Sequence, residues 1–305
     1  MKKRRLGNSE LLVSEMGLGC MSLGSDDEKA IRIIHAALDE GITYFDTADL
    51  YDFGKNEEIV GKALKHCRDK VVISTKAGNR WNEQKDGWSW EPSKKHIKAA
   101  VKDSLKRLDI DYIDLYQLHG GTIDDPIDET IEAFEELVKE GHVRYYGISS
   151  IRPNVIKEYL RRSSIVSIMM QYSLLDRRPE EWMRLIEENN VSIIARGPLA
   201  KGLLSDKMLD KASSSIKENG YLDYSFWDLQ RVLPKVVEKL PSRSMNEIAV
   251  RYALASSAVG AIIPGASSLE QLRENVKAVK SPPLDEEELL ILKDIFKQSR
   301  YESHR

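Results

Sequence analysis

Apolar runs of strand length alternate with amphipathic helical patterns eight times along this 305-residue chain. The runs are Glu15–Leu18, Ile42–Asp46, Val71–Thr75, Tyr112–Leu118, Val143–Ser149, Ile165–Tyr172, Val191–Arg196 and Val259–Ile263. Most are continuous Val/Ile/Leu stretches, the pattern of strands buried on both faces by covering helices in a parallel sheet. Eight such units in succession predict closure into a (β/α)8 barrel of the TIM type. No shift in composition marks a second domain, so residues 1–305 read as a single barrel domain.

The boundaries carry local signals. Ser25-Asp26-Asp27-Glu28 reads as a capping box opening the first helix, which stops before Gly41. Further helices are expected over Glu57–Lys65, Ser93–Leu108, Glu129–Glu140 and Pro179–Asn189, with Pro153 suited to the first turn of another. Ser244-Met245-Asn246-Glu247 and Ser267-Ser268-Leu269-Glu270 open the last two barrel helices, the first of them after a long insertion. Outside the barrel, an N-terminal β-hairpin joins Lys3–Leu6 to Leu11–Val13 through Gly7-Asn8-Ser9, and extra C-terminal helix is expected over Asp285–Gln298. A doubly wound dinucleotide fold has weak support: Gly17-Leu18-Gly19 follows a strand, but the third glycine of the fingerprint would fall at Ser22.

Composition narrows the function. A formal net charge of -3 gives no reason to expect nucleic acid or an anionic membrane surface as partner. No apolar run reaches membrane-spanning length, and Met1–Leu6 leads into polar residues instead of a signal-peptide core, so a cytoplasmic location is expected. Cys20 and Cys67 are too few for a disulfide framework, and the six scattered histidines form no HExxH, so no metal site is expected.

Four polar residues then stand out by position. Asp46 closes the second strand, Tyr51 lies in the loop after it, Lys76 closes the third strand and His119 the fourth. Active sites of such barrels lie at the carboxyl ends of the strands, where these four would converge. A partly desolvated lysine needs an anion, which Asp46 can supply. A tyrosine beside that ammonium becomes easier to deprotonate than free tyrosine, which titrates near ~10. His119 could hold a substrate oxygen toward Tyr51. Each residue alone has a duller explanation as a turn, packing or ion-pair residue; together they form a device for moving a proton to or from an oxygen on carbon.

At these residues the chain resembles the aldo-keto reductase superfamily. The resemblance rests on Gly41-Ile42-Thr43-Tyr44-Phe45-Asp46-Thr47-Ala48 with Tyr51, on Ile73-Ser74-Thr75-Lys76, and on Asp111 through His119. Gly147-Ile148-Ser149-Ser150 and Ile263-Pro264-Gly265-Ala266-Ser267 match as well, in the family's order. Gln171 through Arg177 and Arg196 through Leu204 look like bacterial members known only as oxidoreductases.

The resemblance implies an NADP(H)-dependent reductase of small-molecule aldehydes or ketones, with NAD possible in place of NADP. Tyr51 would protonate the carbonyl oxygen, Lys76 and Asp46 would tune Tyr51, and His119 would orient the carbonyl. The family's Ser-Asn pair on the nicotinamide amide corresponds to Ser149-Ser150, and its glutamine to Met169, with Gln171 two positions on as a substitute. Arg196 stands where many members stack an aromatic ring on the nicotinamide, and a planar guanidinium can also stack. Gly19, Cys20 and Met21 are expected beside the cofactor, Cys20 as a small filler and Met21 also at the substrate mouth. Gly197, Leu199 and Lys201 would border the pyrophosphate, and Gly265, Ser267, Gln271, Glu274 and Asn275 the adenosine end. Ser267 and Gln271 stand where many members have an arginine for the 2'-phosphate, so NADP over NAD rests here on the family's habit. Trp81, Trp88 and Trp90, with Tyr221, Tyr224, Phe226 and Trp227 of the insertion, are expected to wall the substrate mouth. Two other functions compete: a non-catalytic nicotinamide-binding regulatory subunit of the same fold, and a Schiff-base enzyme using Lys76 as nucleophile.

Overall fold

A computed structural model describes residues 1–305 of the chain, apart from the side chain of Lys211. Along the chain the elements are β1 (Lys3–Arg5), β2 (Leu12–Ser14), β3 (Leu18–Gly19), α1 (Asp27–Asp39), β4 (Tyr44–Asp46), α2 (Lys55–Leu64) and β5 (Val72–Ala77). There follow β6 (Asn79–Trp81), β7 (Trp88–Trp90), α3 (Lys94–Leu108), β8 (Ile113–Leu118), α4 (Ile127–Lys139), β9 (Val143–Ser149), α5 (Pro153–Arg162) and β10 (Ser167–Gln171). The rest comprises α6 (Glu180–Glu188), β11 (Ser192–Arg196), α7 (Ser214–Asn219), α8 (Phe226–Lys239), α9 (Met245–Ala253), β12 (Val259–Ile263), α10 (Leu269–Lys280) and α11 (Glu286–Ile295).

Eight strands pair in the order β3-β4-β5-β8-β9-β10-β11-β12, and every pairing is parallel. The two edges meet. Gly17 N donates to Ile262 O at 2.9 Å, Ile262 N to Glu15 O at 3.0 Å and Gly19 N to Pro264 O at 3.3 Å. The result is a (β/α)8 barrel, as the alternating pattern predicts. The first strand is shorter than the sequence suggests and begins at Leu18. Its approach through Gly17 is tight: a Cβ there would sit 2.6 Å from the Ile263 side chain and 2.8 Å from that of Tyr44.

Side chains divide by strand parity. Tyr44, Val72, Leu115, Met169, Ile194, Ala261 and Ile263 point into the barrel and pack with Leu6, Leu11 and Val13 of the β1–β2 hairpin. Phe45, Ile73, Tyr116, Ile148, Ile168 and Ile193 face outward into the larger core beneath the helices. The hairpin therefore plugs the amino end of the barrel: Gly7 N reaches Ser192 Oγ, Ser14 and Thr43 exchange hydrogen bonds, and Arg4 donates to Leu254 O and Val259 O. The opposite end stays open for polar residues.

Several boundaries differ from expectation for local reasons. The first helix is capped by Asp26, whose carboxylate accepts from Lys29 N, so Ser25 and Glu28 form no capping box. Ser93 and Ser268 cap α3 and α10, and the box of Ser244 and Glu247 forms in both directions. The loop after β5 contains the antiparallel β6–β7 hairpin, and the insertion after β11 contains α7 and α8. Helix α11 packs on α8 outside the barrel and ends at Ile295, short of Gln298.

Candidate active site

The strand ends bring the four polar residues together. Parallel pairing sets Asp46 beside Ser74, and Lys76 beside Gln117. With period-two alternation, Asp46, Ser74, Lys76 and Gln117 all face the barrel axis in one layer above the apolar interior. Lys76 is fully buried, and its Nζ donates to Asp46 Oδ2 at 2.7 Å and Thr47 O at 2.7 Å. Its third contact is Tyr51 Oη at 3.4 Å. Asp46 Oδ1 accepts from Ser74 Oγ at 2.7 Å and Gln117 Nε2 at 3.4 Å. Burial pulls the Lys76 ammonium toward neutrality, but the charges of Asp46 and Tyr51 and the hydrogen bonds to both together outweigh it and raise the lysine's pKa. A buried ion pair persists when hydrogen bonds satisfy its remaining donors and acceptors, and here they do.

Tyr51 sits on the turn that joins β4 to α2. The turn is pinned where Thr47 Oγ1 donates to Asn56 Oδ1 at 2.6 Å and Asn56 Nδ2 to Cys20 O at 2.9 Å. Directly after Tyr51, Asp52, Phe53 and Gly54 have φ of 48°, 51° and 87°. Left-handed backbone at two non-glycine residues is costly and marks a turn held by its surroundings. The Tyr51 ring meets His119 edge-on, with centroids 5.8 Å apart. His119 is fixed through its backbone, N donating to Ala77 O at 2.7 Å, while its buried Nδ1 has no partner among the described residues. Burial first, then the positive charges of Lys76 and Arg196, push the His119 imidazole down to about 3.

From this cluster a cleft of about 1080 Å³ runs across the carboxyl end of the barrel to the start of α10. Asp46, Tyr51, Lys76 and His119 line one end of it; Gly19, Met21, Ser149, Gln171 and Arg196 border the same floor. Gly197, Leu199 and Lys201 line its middle, and Gly265, Gln271, Glu274 and Asn275 its far end. Arg196 Nη1 donates to Gln171 Oε1 at 3.1 Å, tying β11 to β10 at their tips. Three expected residues lie off the cleft surface. Cys20 is wholly buried, its thiol pushed up by burial; Ser150 lines a neighbouring cavity and Ser267 stands outside, donating to Gln271 Oε1 at 3.0 Å.

Of the expected mouth, Met21 and Tyr221 reach the cleft, Tyr221 through Gln171 Nε2 at 3.2 Å. Trp90 instead anchors its hairpin to Asp125 Oδ1 at 2.9 Å, and the Tyr224 hydroxyl accepts from Lys297 N at 2.7 Å. Phe226 packs on the main core, while Trp88 and Trp227 are exposed. Sequence reasoning missed Ser22, Lys207 and Asn246, all of which line the cleft. The capping box that holds Asn246 was a readable signal; nothing around Lys207 has a period that would place it.

Comparison with known proteins agrees with this geometry. The sequence model described as the Aldo/keto reductase family matches residues 15–297. The chain is 59% identical over 305 residues to "Uncharacterized oxidoreductase YqkF" of Bacillus subtilis (strain 168), covering 100% of both. It is similar to "NADH-specific methylglyoxal reductase" of Escherichia coli (strain K12), 33% identical over 92% of this chain and 94% of that one. Among solved structures, the holo form of aldo-keto reductase AKR11C1 from Bacillus halodurans superposes with a TM-score of 0.94, at 58% identity over 100% of this chain and 99% of that one. With the barrel, the strand-end tetrad and these matches in agreement, the chain belongs to the aldo/keto reductase family.

Proposed function

We propose that residues 1–305 act as one barrel unit that reduces aldehydes or ketones to alcohols with a nicotinamide cofactor, and that Tyr51 is the proton donor. The carrying observation is the chain of contacts from Asp46 through buried Lys76 to the Tyr51 hydroxyl, with His119 against the same ring. The cleft suits a dinucleotide. Lys201 and Lys207 stand midway for a diphosphate, and buried Asn246 Oδ1 has no partner among the described residues. At Gly265 a Cβ would fall 2.4 Å from Ser22 Oγ and 3.1 Å from its Cβ, so a side chain there would make Ser22 shift at that narrow end. Arg196 and Gln171 would hold the nicotinamide, and Asn275 and Glu274 the adenine.

A reduced nicotinamide in that cleft supplies the hydride that the carbonyl carbon takes. The protein does the rest. Neutral His119 donates a ring N–H to the carbonyl oxygen and holds it against Tyr51. Tyr51 passes its phenolic proton to that oxygen, and the Lys76 ammonium stabilises the negative charge left on Oη. Asp46, held by Ser74 and Gln117, keeps Lys76 charged and in place. A Schiff-base role for Lys76 fits poorly, because its charged Nζ is spent on three acceptors and shut away from solvent. The buried free thiols of Cys20 and Cys67 fit a reducing cytoplasm.

Tyr51→Phe should lower kcat/KM for a reactive aldehyde by ~10²–10⁴-fold while leaving cofactor binding, read by fluorescence quenching, nearly intact. Lys76→Met should be similarly damaging. Full turnover by the Tyr51 variant would remove Tyr51 from the chemistry. A protein that binds cofactor but turns over no carbonyl would instead favour a regulatory subunit.

For the cofactor we propose NADPH over NADH by a narrow margin. The adenosine end has the N-terminus of α10 to attract a phosphate, but Glu270 and Glu274 line it and no arginine does. The NADH-specific relative from Escherichia coli shows that preference varies within the family. Ser267→Arg should tighten NADPH by ~10-fold or more, the value of a charge-assisted hydrogen bond, and leave NADH nearly unchanged. A wild-type preference for NADH would overturn the assignment.

A further inference from the structure

A second cavity of about 460 Å³ adjoins the cleft and shares Ser149, Met169 and Arg196 with it; its rim at Gly120 directly follows His119. Its outer wall is the tail after α11. Arg177 Nη1 donates to Phe296 O at 2.9 Å, Asn154 N to His304 O at 2.7 Å, and Arg305 pairs with Glu181. The tail is therefore tied down at both ends, across the mouth from the strand tips.

The lining is unusually rich in cations. Arg152, Arg178, Arg196 and Arg300 line the cavity, against the exposed carboxylates Asp223 and Glu302. Among the described residues, Arg152, Arg196 and Arg300 have no carboxylate within ion-pair distance. Arg178 grips Asp176 through Nε and Nη2, both at 2.7 Å, which leaves Nη1 free. Arg152 spends one nitrogen on Gly121 O, and the Arg300 side chain has no hydrogen-bond partner among the described residues. Tyr301 lies under Arg178, with the guanidinium carbon 4.9 Å from the ring centroid. Although Tyr301 is only 5% exposed, its hydroxyl has no partner among the described residues. Burial first and the Asp176 carboxylate second raise that hydroxyl's pKa, while Arg178 and Arg196 oppose the rise, which sets the oxygen within the field of both guanidiniums as well as of Asp176. A buried hydroxyl without a partner is costly, and the guanidiniums of the lining outnumber its two carboxylates. A multi-oxygen anion matches that lining, because its oxygens can accept from several guanidinium N–H groups at once.

We propose that this cavity is the subsite for an anionic group, carboxylate or phosphate ester, on the carbonyl substrate, so that preferred substrates are short aldehydes or ketones carrying such a group near the C=O. The inference rests on the reading that Tyr51 and His119 hold the carbonyl oxygen. It commits Arg300, Tyr301 and the free Nη1 of Arg178 to the anion, with Arg196 at the boundary between the two cavities.

The test compares paired substrates of like size on the NADPH-loaded enzyme: succinate semialdehyde against butanal, and glyceraldehyde phosphate against glyceraldehyde. The anion should raise kcat/KM by ~10-fold or more in at least one pair, through KM. Preference in the first pair identifies a carboxylate, and in the second a phosphate ester. Arg300→Gln and Tyr301→Phe should each reduce the anionic-to-neutral ratio several-fold, and added salt should reduce it too. Equal kcat/KM within both pairs, or variants that lower both members alike, would overturn the proposal. Should no carbonyl be reduced at all, the catalytic reading fails, and equilibrium binding still decides the subsite. Calorimetry should then show succinate or inorganic phosphate binding to the NADP-loaded protein, and binding weakened ~10-fold by Arg300→Gln; absence of binding by both anions would refute the subsite.

Discussion

The proposed reduction calls on His119 as a neutral donor, and its surroundings keep it neutral. His119 is held down to about 3, by burial first and by the charges of Lys76 and Arg196 after it. An ordinary histidine takes a proton near ~6.5. Between those values the unfolded chain binds a proton that the folded protein refuses. His119 thus contributes stability that is fully present above ~6.5 and is lost as pH falls toward about 3. In NMR titration, its ring C–H should show no step between about pH 8 and pH 5, and Lys76→Met should move the value upward. A full step near ~6.5 would mean that the ring is charged where the proposed proton transfer calls for a neutral donor. At this scale Asp46, Tyr51, Lys76 and His119 were legible because each closes a strand or follows one. Ser74 and Gln117 were not, since their contact with Asp46 depends on the register between strands.

The element that positions Tyr51 contains its own pH-sensitive group. Asp49 lies in the β4–α2 turn, with its N–H bonded to Lys76 O at 3.2 Å and its buried Oδ1 without a partner among the described residues. Behind it, Glu57 accepts from Thr75 Oγ1 at 2.5 Å and Arg107 Nε at 2.6 Å. Burial first, and the Glu57 charge second, lift the Asp49 carboxyl to about 8. The folded protein therefore keeps a proton that the unfolded chain gives up near ~3.9. That stabilisation is complete below ~3.9 and disappears as pH rises through about 8. Between about pH 6 and pH 9 the wild type should lose ~2 kcal/mol more than Asp49→Asn, as read by urea midpoints. Parallel curves for the two proteins would place Asp49 among ordinary carboxylates. Eight strands and their helices were legible here because burial on both faces leaves continuous apolar runs. The β6–β7 hairpin was not, since three-residue strands give no period. Helix α8 was obscured by Pro234, although Ser225 and Asp228 form a capping box at its start and Leu229, Leu233 and Val236 mark one face.

Across the whole molecule, stability and chemistry are separated by the length of the barrel. The carboxyl ends of the strands hold polar groups and two cavities, whereas the amino end is sealed by the β1–β2 hairpin. The hairpin itself was legible from Gly7-Asn8-Ser9, but its use as a plug was not, because that depends on which barrel opening it faces. Likewise the tail after α11 has no periodic pattern, and only the closed fold shows it walling a cavity. The separation makes a prediction. Arg4 fastens the hairpin to the loop and strand at the barrel's closing seam, donating to Leu254 O at 2.9 Å and Val259 O at 2.8 Å, and it lies 3.6 Å from buried Glu15. Arg4→Ala would leave those carbonyls without their donor and take a neighbouring positive charge from Glu15. Charged hydrogen bonds in such settings contribute ~1.5–3 kcal/mol each, so Tm should drop by roughly 5 °C. Because Arg4 acts at the end of the barrel far from Tyr51, kcat/KM measured well below the new Tm should stay within about twofold of wild type. A large loss of activity with an unchanged Tm would show that the two ends are coupled through the barrel interior, by way of Tyr44, Val72 and Leu115, and not divided between fold and function.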